Sequence, residues 1–193
     1  MTQAQPALRR DDMVSDDALM ARVHARDATA FRILVDRHVR PLHRIAYRMI
    51  GDATEAEDLA QEALLRLWRD AAKWQAGGAG TGAWLKRVVV NQCLDRLRRR
   101  RFASDAEVPD RVDEAPLAPD EMDAARLRAV TVAAIAALPD RQRAAIVLTY
   151  YEEVSNQVAA ETMDMNIKAF ESLLLRARTA LRAALTPIKE AAQ

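Results

Sequence analysis

Apolar residues in this chain recur at intervals of three and four, the spacing that places them along one stripe of a helix. No stretch alternates apolar and polar residues for long enough to predict a strand. Hydrophobic residues make up 50% of the 193 residues, which is enough to bury a core. The sequence therefore predicts an all-α fold.

Breaks in this spacing divide the chain into four parts. Residues 1–14 lack periodicity and are expected to form a flexible tail, and residues 15–102 are expected to form a four-helix domain. Residues 103–120 combine acidic residues with three prolines, which predicts a flexible acidic linker. Periodicity then resumes, so residues 121–193 are expected to form a second small helical domain.

Capping residues predict several ends of the N-terminal helices. Asp27 is expected to cap a long second helix that ends at Gly51. Pro41 lies within that helix and predicts a kink or a break. Thr54 and Glu57 have capping-box spacing, which predicts the start of the third helix.

Charge is segregated along the chain, although the formal net charge is only +1. Residues 84–102, which include a predicted fourth helix, hold seven basic residues and one acidic residue. Residues 103–126 hold two basic and eight acidic residues. The basic segment suits phosphates, and we expect the two segments to screen each other until DNA binds.

Residues 155–178 have the pattern of a helix-turn-helix. Thr162, Asp164 and Asn166 interrupt two apolar-periodic runs, and the Asn166 side chain is expected to cap the second helix. The stripe expected to be buried on that helix consists of Ile167, Phe170, Leu174, Ala177, Leu181 and Leu185. The opposite face, which such a motif turns toward base edges, carries Lys168, Glu171, Ser172, Leu175, Arg176 and Thr179.

Several classes of protein are disfavoured by the composition. Cys93 is the only cysteine, which excludes an internal disulfide and a cysteine-based zinc site. No apolar run is long enough to span a bilayer, so a cytoplasmic chain without membrane insertion is expected. No catalytic triad, phosphate-binding loop or metal cluster is evident, so neither an enzyme nor a cofactor is expected. The three histidines are expected to be surface or packing residues: His24, His38 and His43.

Three segments, in this order, carry a likeness to a known family. They read GDATEAEDLAQEALLRLW at 51–68, AWLKRVVVNQCLDRLRRRR at 83–101 and LPDRQRAAIVLTYYEEVSNQVAAETMDMNIKAFESLLLRARTALR at 138–182. Together they resemble the extracytoplasmic-function class of bacterial RNA polymerase sigma factors, and the likeness covers nearly the whole chain. It implies a region 2 domain, a region 4 domain and a specificity subunit that directs promoter-specific transcription initiation.

The resemblance also implies partners and the surfaces that bind them. The expected partners are core RNA polymerase, through the β′ coiled coil and the β subunit, promoter DNA and an anti-sigma factor. The core-binding residues implied are Asp58, Gln61, Glu62 and Leu65. Those implied for the melted minus-ten strand are Trp84, Lys86, Arg87, Asn91 and Asp95. Those implied for the minus-thirty-five element are Lys168, Glu171, Ser172, Leu175 and Arg176.

Physical arguments support the minus-ten assignment to different degrees. Asn91 lies in mid-helix, where asparagine is neither a good helix former nor a core residue, and a base contact would explain it. By resemblance it lies beside the glycine-rich loop 76–83, which holds a flipped base in the family. Lys86 and Arg87 suit the phosphates of a melted strand. Trp84 would stack or wedge there, although a tryptophan at a helix start more often packs.

The chain departs from the family pattern at two places. Asp164 stands where family members frequently have glycine, and the turn is expected to survive because aspartate tolerates a positive φ. Leu173 and Leu175 stand where many members have a basic or polar residue. With Glu171 in the same patch, this less basic face predicts either contacts to thymine methyl groups or weaker DNA binding.

Two other functions remain open at this point. A sigma-like decoy that sequesters an anti-sigma factor would fit the two domains, but it has no need of the basic cluster at 96–101 or of Arg176 and Arg178. An ordinary helix-turn-helix regulator would leave the segments at 51–68 and 83–101 unexplained.

Overall fold

The computed structural model describes residues 14–74, 80–103 and 119–191, and within these ranges it contains helices and no strand. The α-helices are α1 (Asp16–His24), α2 (Ala28–Ile50), α3 (Ala53–Asp70), α4 (Gly80–Ala103), α5 (Pro119–Ala136), α6 (Asp140–Ile146), α7 (Asn156–Thr162) and α8 (Ile167–Ala191). A short 3₁₀ turn, Ala71–Lys73, follows α3, and a turn of π-helix, Val147–Tyr151, follows α6. The all-α prediction is confirmed.

The long second helix has the ends that its sequence predicts. Asp27 Oδ1 accepts hydrogen bonds from the backbone amides of Thr29 and Ala30, which satisfies two donors of the first turn. A hydrogen bond from Arg22 at 2.9 Å holds the pKa of the Asp27 carboxyl below its usual value. At the other end, Gly51 adopts the left-handed conformation with φ +79° and closes α2.

One prediction about α3 is wrong, and the break at Pro41, one of two alternatives predicted for α2, is not found. Asp52, not Thr54, caps α3, because the Asp52 side chain accepts a hydrogen bond from the backbone amide of Glu55 at 2.9 Å. Aspartate is a better N-cap than threonine, so the capping-box spacing of Thr54 and Glu57 is not used. Pro41 does not break α2, since apolar side chains on both sides of it are buried and hold the helix against its neighbours.

Helices α1 to α4 pack around one core. α2 lies against α3 and α4, and α1 packs against both α2 and α4. The apolar side of α3 is buried as predicted, through Leu59, Ala60, Ala63, Leu64 and Leu67. α4 contributes the fully buried Leu85, Val89 and Cys93. Burial raises the pKa of the Cys93 thiol to about 12, because a thiolate would be poorly solvated there.

The fourth helix begins earlier than its sequence predicts. α4 starts at Gly80, with φ +84°, so residues 80–83 are helical rather than part of a loop. Residues 75–79, the rest of the predicted glycine-rich loop, lie outside the described residues. A Cβ atom at Gly82 would come within 3.3 Å of the His38 side chain, so Gly82 allows the first turn of α4 to pack closely on α2.

The C-terminal domain is built around α8. Its helix α5 begins at Pro119, a residue suited to a first helical turn, and residues 104–118 of the predicted linker lie outside the described residues. α8 packs against α5, α6 and α7. The core of this domain includes Ile135, Leu138, Ile146, Leu148, Ala159, Phe170, Leu174 and Ala177.

Helices α7 and α8 form the predicted helix-turn-helix. Asp164, in the turn between them, has φ +54°, which confirms that an aspartate supports the left-handed conformation there. Asn166 Oδ1 accepts a hydrogen bond from the Ala169 amide at 2.8 Å, so the predicted cap of α8 is confirmed. In the predicted stripe, Phe170, Leu174 and Ala177 are buried, and Ile167, Leu181 and Leu185 are half-buried.

Within the ranges that the structure describes, none of the helices combines the length and the apolar character needed to cross a lipid bilayer.

The cap of the recognition helix gives a stability prediction. Asn166→Ala removes the side-chain acceptor at the start of α8, and we expect the free energy of unfolding to fall by about 0.5–2 kcal/mol. Glu171→Ala, at an exposed position of the same helix, is the matched control and should change it by less than about 0.5 kcal/mol. Urea unfolding followed by circular dichroism measures both variants. Equal effects would show that the cap contributes nothing specific.

Candidate nucleic-acid and polymerase interfaces

An exposed face of α3 carries the four residues implied for core binding. Asp58, Gln61, Glu62 and Leu65 are all exposed, on the side of α3 opposite its buried stripe. Leu65 is 56% exposed, which is unusual for a leucine. It places an apolar side chain beside the exposed carboxylates of Asp58 and Glu62. Gln61 donates a hydrogen bond to Glu57 at 3.0 Å. The face therefore offers anionic and apolar groups to a partner.

Asn91 and Asp95 lie one turn apart on α4, and both side chains are exposed. Asn91 has no hydrogen-bond partner among the described residues, so it does not satisfy a buried backbone group. Asp95 accepts a hydrogen bond from Arg98 at 2.9 Å, within the same helix. Both side chains are thus available to a ligand on this surface.

Trp84 is part of an aromatic cluster at the start of α4. Its ring meets the ring of Trp74 edge to face, with centroids 6.4 Å apart, and both rings pack against the hydrophobic core. Trp74 Nε1 and Thr81 Oγ1 are buried and have no hydrogen-bond partner among the described residues. These two groups flank residues 75–79, where the sequence predicts the base-holding loop. Sequence patterns did not indicate them, because neither residue type is distinctive alone.

The cations implied for the melted strand form ion pairs with the C-terminal domain. Lys86 Nζ lies 3.3 Å from Glu152 Oε2, and Arg87 Nη2 lies 3.1 Å from Asp164 Oδ1. Around these pairs, α4 packs on α6 and α7, while α2 packs on α6 and the π-helical turn. No local spacing in the sequence marks Glu152, because its partner Lys86 is distant in the chain.

The basic cluster at the end of α4 is partly neutralised by carboxylates of other helices. Arg100 forms an ion pair with Glu55 of α3, and Arg101 forms one with Asp140 of α6. Arg99 has no ion pair among the described residues. The predicted screening by acidic residues of segment 103–126 concerns side chains outside the described residues.

The exposed face of α8 carries every residue implied for the minus-thirty-five element. Lys168, Glu171, Ser172, Leu175 and Arg176 are all exposed, as is Thr179. Leu175 is 63% exposed, whereas Leu173 is only 7% exposed and packs in the core. Placing Leu173 on this face was therefore wrong, because it follows Phe170 by three residues and shares the buried side of α8.

Each of the three histidines contacts a neighbouring group in the N-terminal domain. His38 Nε2 lies 2.6 Å from Asp16 Oδ2, and the His43 ring stacks on Tyr47 with centroids 6.2 Å apart. His24 Nδ1 lies 3.3 Å from the backbone oxygen of Ala71. In the part of the chain that the structure describes, no group of three or more potential metal ligands comes together.

Both domains match known families. Residues 34–103 match the sigma-70 region 2 family, and residues 129–181 match the sigma-70 region 4 family. The chain is 35% identical over 170 residues to the ECF RNA polymerase sigma factor SigL of Mycobacterium tuberculosis, covering 86% of this chain and 96% of that protein. It is 33% identical over 153 residues to SigE of Mycolicibacterium smegmatis, covering 77% of this chain and 59% of that protein.

Two solved structures resemble the whole fold. CnrH in complex with the cytosolic domain of CnrY matches with a TM-score of 0.68 and 27% identity, covering 89% of this chain and 97% of that chain. The sigma factor RpoE of Bartonella quintana, in complex with the anti-sigma factor NepR, matches with a TM-score of 0.63 and 25% identity. That match covers 81% of this chain and 96% of RpoE.

Proposed function

Because the chain belongs to the extracytoplasmic-function class of the sigma-70 family, we propose that it is a non-enzymatic specificity subunit that reads both promoter elements. One domain would capture the melted minus-ten strand and the other would read the minus-thirty-five duplex. One observation carries the proposal: the same chain contains an exposed recognition helix, α8, and a region 2 domain in which Asn91 of α4 is exposed to solvent.

Recognition of the minus-thirty-five element follows from the exposed face of α8. A helix-turn-helix inserts its second helix into the major groove, where side chains near the N-terminal end of that helix contact base edges. Arg176 would donate to a base or a phosphate, and Ser172 would hydrogen-bond nearby. Leu175 would contact a thymine methyl group, since an exposed leucine has no polar atom with which to read a base.

Recognition of the minus-ten element requires a separated strand. The unpaired amide of Asn91 carries both a donor and an acceptor, which matches the edge of an extruded base. Asp95, one turn away, would accept from a base amino group or exclude a base that presents an acceptor. Trp74 Nε1 and Thr81 Oγ1, which are close to the predicted glycine-rich loop in the sequence, are buried polar atoms without a hydrogen-bond partner among the described residues.

Two protein partners are part of the proposal. The exposed carboxylates of α3, Asp58 and Glu62, would bind basic groups of the polymerase β′ coiled coil, next to the apolar Leu65. An anti-sigma factor would hold the chain inactive, an idea supported by the likeness to RpoE, which was solved with the anti-sigma factor NepR. A decoy role is less well supported, because it gives no use to the exposed Arg176 and Arg178.

The core-binding proposal is tested by charge reversal. Asp58→Lys with Glu62→Lys places two cations opposite basic partner groups, and we expect affinity for core polymerase to fall on the order of a hundredfold. Helix content should stay unchanged because both positions are exposed. Fluorescence titration against core enzyme measures the loss, with Glu161→Lys, an exposed site on α7, as the control. Unchanged affinity of the double variant would contradict the assignment.

The minus-thirty-five proposal is tested on α8. Arg176→Ala and Ser172→Ala should each weaken holoenzyme binding to the upstream element by roughly 1–3 kcal/mol, since each loses a specific contact. Core binding should be retained. Footprints of mutant holoenzyme measure the loss, and full upstream protection by both variants would refute this reading of the face.

The minus-ten proposal is tested by separating the two promoter elements. Asn91→Ala should impair open-complex formation and leave binding to a duplex minus-thirty-five element untouched, because its base contact arises only after the strands part. Permanganate reactivity of the melted region measures opening, and a melting curve measures stability. Asp95→Ala should shift the base preference at minus ten more than total activity. An Asn91 variant that opens normally per folded molecule would rule out the assignment.

A further inference from the structure

Ion pairs between the domains involve the same cations that the proposed function assigns to DNA. Lys86 and Arg87 are consecutive residues near the start of α4. Lys86 pairs with Glu152, which follows the π-helical turn, and Arg87 pairs with Asp164 in the helix-turn-helix turn. Both carboxylates belong to the C-terminal domain, so the domain that reads duplex DNA covers phosphate-binding residues of the other domain.

The Lys86–Glu152 pair is the more demanding of the two. The Glu152 side chain is 4% exposed, and its Oε1 atom is buried without a hydrogen-bond partner among the described residues. A buried carboxylate requires a nearby cation, because burial removes the water that would solvate its charge. Lys86 therefore cannot turn to a phosphate while Glu152 remains buried in this interface. The domains must separate first.

The Arg87–Asp164 pair is the weaker of the two, but it involves the turn of the helix-turn-helix. Its side chains are 50% and 79% exposed, and water screens such a pair strongly. Asp164 nevertheless belongs to the turn that orients α8, so this pair joins the helix-turn-helix directly to the surface assigned to the melted strand. The two pairs together neutralise neighbouring cations with two carboxylates.

Other contacts hold the same interface without using any residue assigned to DNA. The Arg143 guanidinium on α6 donates hydrogen bonds to the backbone oxygens of Met49 at the end of α2 and of Ala136 and Leu138 in its own domain. Burial lowers the pKa of Arg143 from its ordinary value. The Arg48 guanidinium lies 4.3 Å from the centroid of the Tyr151 ring. These contacts position the carboxylates over α4.

The remaining proposed binding surfaces stay open in this arrangement. The face of α8 assigned to the minus-thirty-five element is exposed, and so is the face of α3 assigned to core polymerase. Among the residues assigned to a partner, Lys86 and Arg87 are the ones for which the described part of the chain shows an ion pair across the interface. With its two domains packed together, the chain is thus able to bind core enzyme before Lys86 and Arg87 become available to single-stranded DNA.

We propose that Glu152 and Asp164 act as an internal mask, which competes with the phosphates of the melted strand for Lys86 and Arg87. The mask rests on the proposed function, because it assumes that these two cations bind DNA. Competition is reciprocal, so whatever separates the domains raises affinity for single-stranded DNA, and single-stranded DNA favours separation. Only molecules with separated domains bind the strand, so the apparent affinity for single-stranded DNA is lowered in proportion to the small fraction of such molecules.

The test combines two neutralising substitutions with a distance measurement. Glu152→Gln with Asp164→Asn removes both charges and keeps the shapes of the side chains. Spin labels at Ala72→Cys and Ala180→Cys, two exposed positions in different domains, report the separation by pulsed electron paramagnetic resonance. Cys93 is buried with a pKa of about 12, so it stays unlabelled in the folded chain. Circular dichroism checks that each variant is folded.

The expected result is a longer interdomain distance together with about tenfold tighter binding of a single-stranded minus-ten oligonucleotide from the promoter of its own gene. Glu153→Gln, which removes an exposed carboxylate next to Glu152, is the matched control and should resemble the parent in both measurements. A variant with exchanged charges, Lys86→Glu with Glu152→Lys, should keep the short interdomain distance of the parent, because the ion pair is re-formed. It should lose strand binding, because the cation at position 86 is gone.

Two outcomes would overturn the mask. One is a folded double variant whose distance distribution equals that of the parent. The other is a longer distance without tighter strand binding. In that second case, permanganate reactivity of Lys86→Ala holoenzyme separates the causes. Normal opening would show that Lys86 does not bind the strand, which is a failure of the proposed function, whereas impaired opening would fault the mask alone.

Discussion

The structure depends on the burial of one side of α4. Leu85, Val89 and Cys93 fix this helix against α1, α2 and α3, and its opposite surface then has to face something else. Because the exposed side is rich in lysine and arginine, it suits anionic partners, and two carboxylates of the C-terminal domain pair with it in this structure. The same helix therefore belongs to the core of one domain and to the boundary between two.

Because α4 has this position, ion pairs contribute to the interface between the two domains. An apolar interface of the same size would favour closure under all conditions, since nothing in solution competes with buried apolar surface. Here three ion pairs, formed by Lys86, Arg87 and Arg101, lie between α4 and the C-terminal domain. A polyanion would compete for the cations of such pairs, whereas it would not compete for buried apolar surface.

Local features were predictable from the sequence, and contacts across the chain were not. The caps at Asp27 and Asn166 and the end of α2 at Gly51 follow from side-chain and backbone chemistry within one turn. The burial of Leu173 was missed because the predicted stripe on α8 was drawn too narrow. The sequence does not predict the start of α4 at Gly80, because glycine is a poor helix former and the close packing of Gly82 on α2 is a contact between distant residues. The pairing of Glu152 with Lys86 has no sequence signal, since it arises only when two domains meet.

The burial of Cys93 restricts the signals that this chain is able to sense. It is the single thiol of the sequence, and oxidants such as peroxides react with an accessible thiolate. A fully buried thiol with a pKa of about 12 presents neither the ionised sulfur nor a path to it. The folded chain consequently carries no thiol switch of its own, and a redox stimulus acting through cysteine chemistry has to be received by another protein and passed on as binding or release.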